Sequence, residues 1–251
     1  MTKAPPLVAG NWKMNGTRDS LWEVARVRDA VASGGAGRAE VLICPPATLL
    51  MAAAALCEGS PLKLGGQDCH AEPSGAFTGD ISAPMLKDAG ASYVIVGHSE
   101  RRAGHQESDE TVRRKTMAAL DAGLCAIVCV GETAPERKAG EALAVAGRQI
   151  AGSIPKSAPP QRIAIAYEPV WAIGSGLTPG LKEIAEMHGF IREKLFAVWP
   201  GQGGVTRILY GGSVKPENAA ELLSAKNVDG ALVGGASLSA EAFMKIAGFY
   251  R

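Results

Sequence analysis

Ala164-Ile165-Ala166-Tyr167-Glu168-Pro169-Val170-Trp171-Ala172-Ile173-Gly174-Ser175-Gly176 begins as a short apolar run of strand length and then changes character. A carboxylate stands where the strand must stop, because Pro169 has no N–H for a ladder. Val170 and Trp171 form an apolar clamp behind it, and glycines follow at 174 and 176. An acid at the end of a buried strand, next to a glycine loop, is a place for chemistry.

Outward from this stretch the same kind of run recurs. Pro6–Gly10, Glu40–Cys44, Lys63–Gly66, Tyr93–Val96, Cys125–Val130, Ile163–Tyr167, Arg207–Tyr210 and Gly230–Val233 are rich in Val, Ile, Leu and Ala. None alternates cleanly with polar residues, as expected of a parallel sheet covered on both faces. Between them Ser20–Val31, Asp109–Leu120, Glu136–Ile150 and Ile184–Trp199 have helical spacing, and Pro216-Glu217-Asn218 opens a helix over Ala219–Leu223. Eight strand–helix units at a spacing of roughly thirty residues read as a βα repeat, and the count favours a closed (β/α)8 barrel over an open sheet with edges to protect. No linker or composition shift divides the 251 residues, so residues 1–251 are expected to form a single α/β domain.

Composition excludes several classes. A formal net charge of +1 gives no general attraction to nucleic acid or to an anionic membrane. The N-terminus lacks the apolar core of a signal peptide, and no apolar run reaches transmembrane length. Five irregularly spaced cysteines (44, 57, 69, 125, 129) point to free thiols in a reducing cytoplasm. No zinc-site spacing is present, and neither a metal nor a cofactor is expected. Gly174-Ser175-Gly176-Leu177-Thr178-Pro179-Gly180 is a near miss of a dinucleotide fingerprint, but no ribose-binding acid follows it at a strand end.

In such a barrel the working residues sit at strand C-terminal ends. Glycine pairs at 211–212 and 234–235 follow the last two strands, where backbone N–H groups can cradle a phosphate. Gly174-Ser175-Gly176 offers further donors. Glu168, His98 and Lys13 then share one mouth. A carboxylate shielded from water can abstract a carbon-bound proton, an imidazole can serve the oxygen that becomes negative, and an ammonium stabilises that charge. Singly, His98 would read as a packed core residue and Lys13 as a solvated charge. Their common location reverses that reading, and isomerisation of a sugar phosphate fits best.

Asn-Trp-Lys-Met-Asn at 11–15, Gly-Ala-Phe-Thr-Gly at 75–79, Val-Gly-His-Ser-Glu-Arg-Arg at 96–102, Ala-Tyr-Glu-Pro-Val-Trp-Ala-Ile-Gly at 166–174 and Tyr-Gly-Gly-Ser-Val at 210–214 resemble the motifs of the triosephosphate isomerase family, in its order. The resemblance runs from near residue 5 to near 250 and implies the TIM-barrel fold. It also implies interconversion of dihydroxyacetone phosphate and D-glyceraldehyde 3-phosphate, a glycolytic and gluconeogenic step. Glu168 would then move the proton, with a neutral His98 as electrophile, Lys13 as the positive charge and Asn11 orienting the substrate. Glu100 would partner Lys13, and Ser99 would open the helical turn that keeps His98 neutral. Backbone N–H groups of Gly174, Ser213, Gly234 and Gly235 would hold the phosphate, and a lid over 169–179, carrying Pro169, Trp171 and Gly176, would close on it. A homodimer is also implied, with the Gln67–Asp80 loop entering the partner and Thr78 near its site.

One departure stands out. The chain has Leu177-Thr178-Pro179 where the family often has Lys-Thr-Ala. The family's counterpart of Tyr210 bonds the N–H at the position of Pro179, which proline lacks. Closure here is therefore expected to rely on Ser213 and Gly176, with Pro179 stiffening the hinge. A Schiff-base aldolase using Lys13 and a non-catalytic barrel are the alternative readings.

Overall fold

The computed structural model describes residues 4–173 and 178–251. Eight parallel strands close into a barrel in sequence order: β1 (Leu7–Asn11), β2 (Glu40–Cys44), β3 (Lys63–Gly66), β4 (Tyr93–Val96), β5 (Cys125–Val130), β6 (Ile163–Tyr167), β7 (Arg207–Tyr210) and β8 (Gly230–Val233). Closure comes from β1 pairing with both β2 and β8, with Leu7 opposite Glu40 on one side and Gly230 on the other.

The strands show no polar alternation because each of their faces meets apolar neighbours. Leu7, Ala9, Leu42, Cys44, Tyr93, Ile95, Ile127, Cys129, Ala164, Ala166, Leu209 and Leu232 fill the barrel interior. The intervening residues, such as Val8, Val94, Val128, Ile165 and Ile208, pack outward in a second cluster. That period of two, apolar on both phases, separates a barrel strand from a half-solvated one.

The helices around it are α1 (Leu21–Ala32), α2 (Ala47–Leu56), α3 (Ala83–Asp88), α4 (Ser99–Gly104), α5 (Asp109–Asp121), α6 (Ala134–Lys138), α7 (Ala142–Ser153), α8 (Leu181–Val198), α9 (Ala219–Leu223) and α10 (Ala240–Ala247). The helix expected over Glu136–Ile150 is two helices. Gly140 lies between α6 and α7 with φ +74°, a left-handed conformation that breaks the helical path. The first strand runs one residue further than expected, so Asn11 is its last member rather than the first loop residue. α8 starts three residues earlier than expected, because Glu183 accepts the Gly180 N–H at 2.8 Å and caps the first turn.

Candidate active site

The C-terminal ends of β1, β4, β6, β7 and β8 open onto a cavity of about 570 Å³ that Asn11, Lys13, His98, Glu168, Ser213, Gly234 and Gly235 help to line. Residues far apart in sequence meet here because parallel strands deliver their ends to one rim.

The β1 end is unusual in its backbone. Lys13 has φ +54°, a left-handed conformation that costs a long side chain about 1–2 kcal/mol. It is held from two sides. Asn11 Oδ1 accepts the Lys13 N–H at 3.0 Å, and Gln67 Nε2 donates to the Lys13 carbonyl at 2.8 Å. So turned, Lys13 Nζ lies 2.6 Å from Glu100 Oε1. Trp12, buried between them, donates its indole N–H to the Ser237 carbonyl at 3.0 Å and ties β1 to the loop after β8.

His98 caps α4, its Nδ1 accepting the Glu100 N–H at 3.2 Å. A ring nitrogen that accepts in this way carries no proton, so the imidazole presents its N–H at Nε2. That Nε2 lies 2.9 Å from Glu168 Oε1, and both side chains are buried. Ser99 completes the setting of Glu168, donating its N–H to Oε2 at 3.0 Å and its hydroxyl to Oε1 at 3.1 Å. Burial works to raise the Glu168 pKa, but His98 and the two Ser99 donors outweigh it and hold the carboxyl below its ordinary value. Cys129 is buried beside Glu168, and burial together with that negative charge pushes its thiol far above the usual range. It packs in the barrel interior.

Glycine at 211 and 212 answers to crowding. A Cβ at Gly211 would sit 2.9 Å from the Tyr167 carbonyl oxygen and 3.1 Å from Glu168 Cγ, and one at Gly212 would overlap the Tyr210 hydroxyl. Gly235 differs, since a Cβ there would meet nothing within 4 Å and would point into open space. Ser237 Oγ donates to the Gly234 carbonyl at 2.7 Å, and Asn218 Nδ2 to the Ser213 carbonyl at 3.0 Å, which fixes both loops.

Among the expected lid residues, Pro169 is buried and its carbonyl accepts the Ala172 N–H at 2.8 Å. Trp171 donates its indole N–H to Glu132 Oε1 at 2.8 Å, with the Arg137 guanidinium 5.3 Å above its ring. Pro179 is buried, and the buried Tyr210 hydroxyl has no hydrogen-bond partner among the described residues. Gly174 and Gly176 lie outside the described residues. Thr78 is exposed and away from the cavity of its own chain.

Several contributors escaped the sequence reading. Lys215 and Glu217 line the cavity just past Val214, where the strand-end motif stops. Glu132 is fully buried, and its Oε1 accepts from Tyr167, Trp171 and Arg137. Its place directly after Val130-Gly131 at a strand end was the available signal.

The family model described as triosephosphate isomerase matches residues 6–250. Triosephosphate isomerase of Mesorhizobium japonicum is 58% identical over 246 residues, 98% of this chain and 96% of that protein. The Rhizobium meliloti protein of the same name is 56% identical over 241 residues, 96% of this chain and 94% of its own. A crystal structure of triosephosphate isomerase from Bartonella henselae superposes with a TM-score of 0.91 at 51% identity, covering 98% of this chain and 99% of that one. With its length matched almost end to end, the chain belongs to the triosephosphate isomerase family.

Proposed function

We propose that this chain interconverts dihydroxyacetone phosphate and D-glyceraldehyde 3-phosphate by proton transfer through an enediolate, a reaction of glycolysis and gluconeogenesis. The observation that carries this reading is the Glu168–His98 pair at 2.9 Å, facing the same cavity as Lys13. Glu168 takes the proton from the carbon next to the carbonyl. To reach it the carboxylate leaves its two bonds to Ser99 and turns toward the cavity. His98 donates from Nε2 to the oxygen that becomes negative, as a neutral acid that can also share its proton between the two oxygens. The Lys13 ammonium stabilises the charge, and Asn11 orients both Lys13 and the substrate. Backbone N–H groups at Ser213, Gly234, Gly235 and Gly174 hold the phosphate. The open space at Gly235 supports this assignment, because packing does not demand glycine there. The reaction needs no metal or cofactor. The relatives reported above carry the isomerase name, and the aldolase and non-catalytic alternatives gain no support from them.

The chain is further read as a single-domain cytoplasmic enzyme working as a homodimer, with no nucleic acid or membrane partner. Its five cysteines are free, which suits a reducing compartment. No helix among the described residues is long and apolar enough to cross a membrane. Every residue from 73 to 81 is exposed, including Phe77 and Ile81. A loop with apolar groups in water invites a partner surface.

A coupled assay that starts from D-glyceraldehyde 3-phosphate and reports dihydroxyacetone phosphate tests the activity. Folded protein with turnover no faster than the uncatalysed background would refute it. Glu168→Asp should lower kcat by about a hundredfold or more with little change in KM, since it withdraws the base from a proton it must nearly touch.

A further inference from the structure

We infer that Gln149 is a positioning residue for the reaction, setting the location of Glu168 through the backbone of Gly131; the inference rests on the reading of Glu168 as the base. Glu168 is attached to β5 by its own N–H, which donates to the Val130 carbonyl at 2.7 Å, while the Val170 N–H donates to the Glu132 carbonyl at 3.1 Å. Gly131 lies between those two anchors. A Cβ on Gly131 would overlap the Glu168 carbonyl oxygen, so the two backbones are in direct contact and a shift of one moves the other.

Gly131 is held from outside the barrel by one side chain. Gln149, on α7, accepts the Gly131 N–H at Oε1 (2.7 Å) and donates from Nε2 to the Gly131 carbonyl (3.2 Å). The carboxamide accepts through its oxygen and donates through its nitrogen at once, which neither an ionised carboxylate nor a thioether can do. Packing does not provide a substitute, because a cavity of about 210 Å³ adjoins the contact and is lined by Gln149, Gly131, Ser99 and Glu168. The same cavity borders Glu168 on the side away from the substrate mouth residues of β7 and β8, none of which lines it. Hydrogen bonds to Gln149 therefore fix the backbone that carries the base. The phosphate loops are independent of them.

The experiment compares wild type with Gln149→Met and Gln149→Glu, measuring kcat, KM, inhibition by inorganic phosphate and the thermal midpoint. Both variants should lose about tenfold in kcat, the scale on which small displacements of a reacting group act. KM and the phosphate inhibition constant should stay within about twofold, because the phosphate loops are untouched. Gln149→Glu is the deciding arm. It keeps the shape but sets a carboxylate oxygen against the Gly131 carbonyl, so a merely space-filling role would leave it near wild type. Near-wild-type kcat in Gln149→Glu, or a loss of phosphate affinity equal to the loss of kcat, would overturn the inference. Glu168→Gln, run alongside, separates the two levels. If it retains turnover, the base assignment itself is wrong, whereas its inactivity beside an active Gln149→Glu refutes the positioning role alone.

Discussion

Ser99 gives Glu168 two hydrogen bonds that favour the charged carboxylate, and this has a consequence for the pH profile. Against the opposing effect of burial, these bonds and His98 hold the carboxyl below its ordinary value. In the free enzyme the acid limb of kcat/KM, corrected for the substrate's own phosphate ionisation, should therefore lie below the usual glutamate pKa of about 4.3. Ser99→Ala removes one donor of the charged form, so the limb should move to higher pH, while kcat at neutral pH changes by less than about threefold because the carboxylate is ionised in both proteins. A limb that stays in place would mean that Ser99 does not tune the base. Tyr210 supports the opposite expectation. Its hydroxyl is buried without a partner among the described residues, and Pro179 offers no N–H. Tyr210→Phe should keep kcat within about twofold and leave stability unchanged or up to about 1 kcal/mol higher. Severe slowing would show that the hydroxyl acts during closure after all. The placement of Glu168, His98 and Lys13 was legible because each stands within two residues of a strand's C-terminal end. Gln149 was not, since its contact with Gly131 is made by a mid-helix side chain that no short motif encodes, whereas Glu132, two residues past β5, stood at a position of the same kind.

The strands also build a second polar cluster, at the opposite end from the site. Glu40 opens β2, Tyr93 opens β4 and Arg207 opens β7. Arg207 Nη2 donates to the Tyr93 hydroxyl at 2.7 Å and Nη1 lies 3.3 Å from Glu40 Oε1, while the Tyr93 hydroxyl also bonds Glu40. These three residues close the N-terminal mouth of the barrel, where conserving strand geometry matters more than chemistry. Arg207→Leu should destabilise by about 2 kcal/mol, less than a fully buried pair would because Glu40 is partly solvated. Chemical denaturation reads that loss, and kcat/KM should stay within about twofold. A matching fall in activity would mean that the two ends of the barrel are coupled. At this scale the strands were legible from their double-sided apolar character, and seven of the eight expected spans coincide with the observed ones. The errors have local causes. The apolar stripe of Glu136–Ile150 continues through Gly140, so periodicity could not reveal the turn that its positive φ makes. The early start of α8 depends on a glycine N-cap and Glu183, a weaker signal than the apolar stripe from Ile184 onward.

The proposed dimer would link the exposed loop to Lys13. Gln67 begins the Gln67–Asp80 loop, and its Nε2 also holds the Lys13 carbonyl at 2.8 Å, next to Met14, which is 96% exposed. The root of the loop is anchored internally: Lys115 Nζ lies 2.8 Å from Asp68 and 2.6 Å from Glu107, and Arg101 joins both acids at 2.9 and 2.7 Å. Its tip is not buried, and the Phe77 ring lies tilted against His70 at 4.0 Å between ring centroids. A rigid root and an apolar exposed tip suit insertion into a second copy. The chain should sediment at twice its 25.9 kDa mass, and Phe77→Glu, which would bury a charge at the contact, should shift it to the single-chain mass. Activity should fall with dissociation, by about tenfold or more, because a loosened loop releases Gln67 and lets Lys13 relax from its left-handed backbone. Circular dichroism should remain unchanged, since the barrel core contains none of the loop-tip residues. A wild-type chain that sediments as a monomer at micromolar concentration would refute the dimer. A Phe77→Glu monomer with full activity would instead sever the proposed link from loop to lysine.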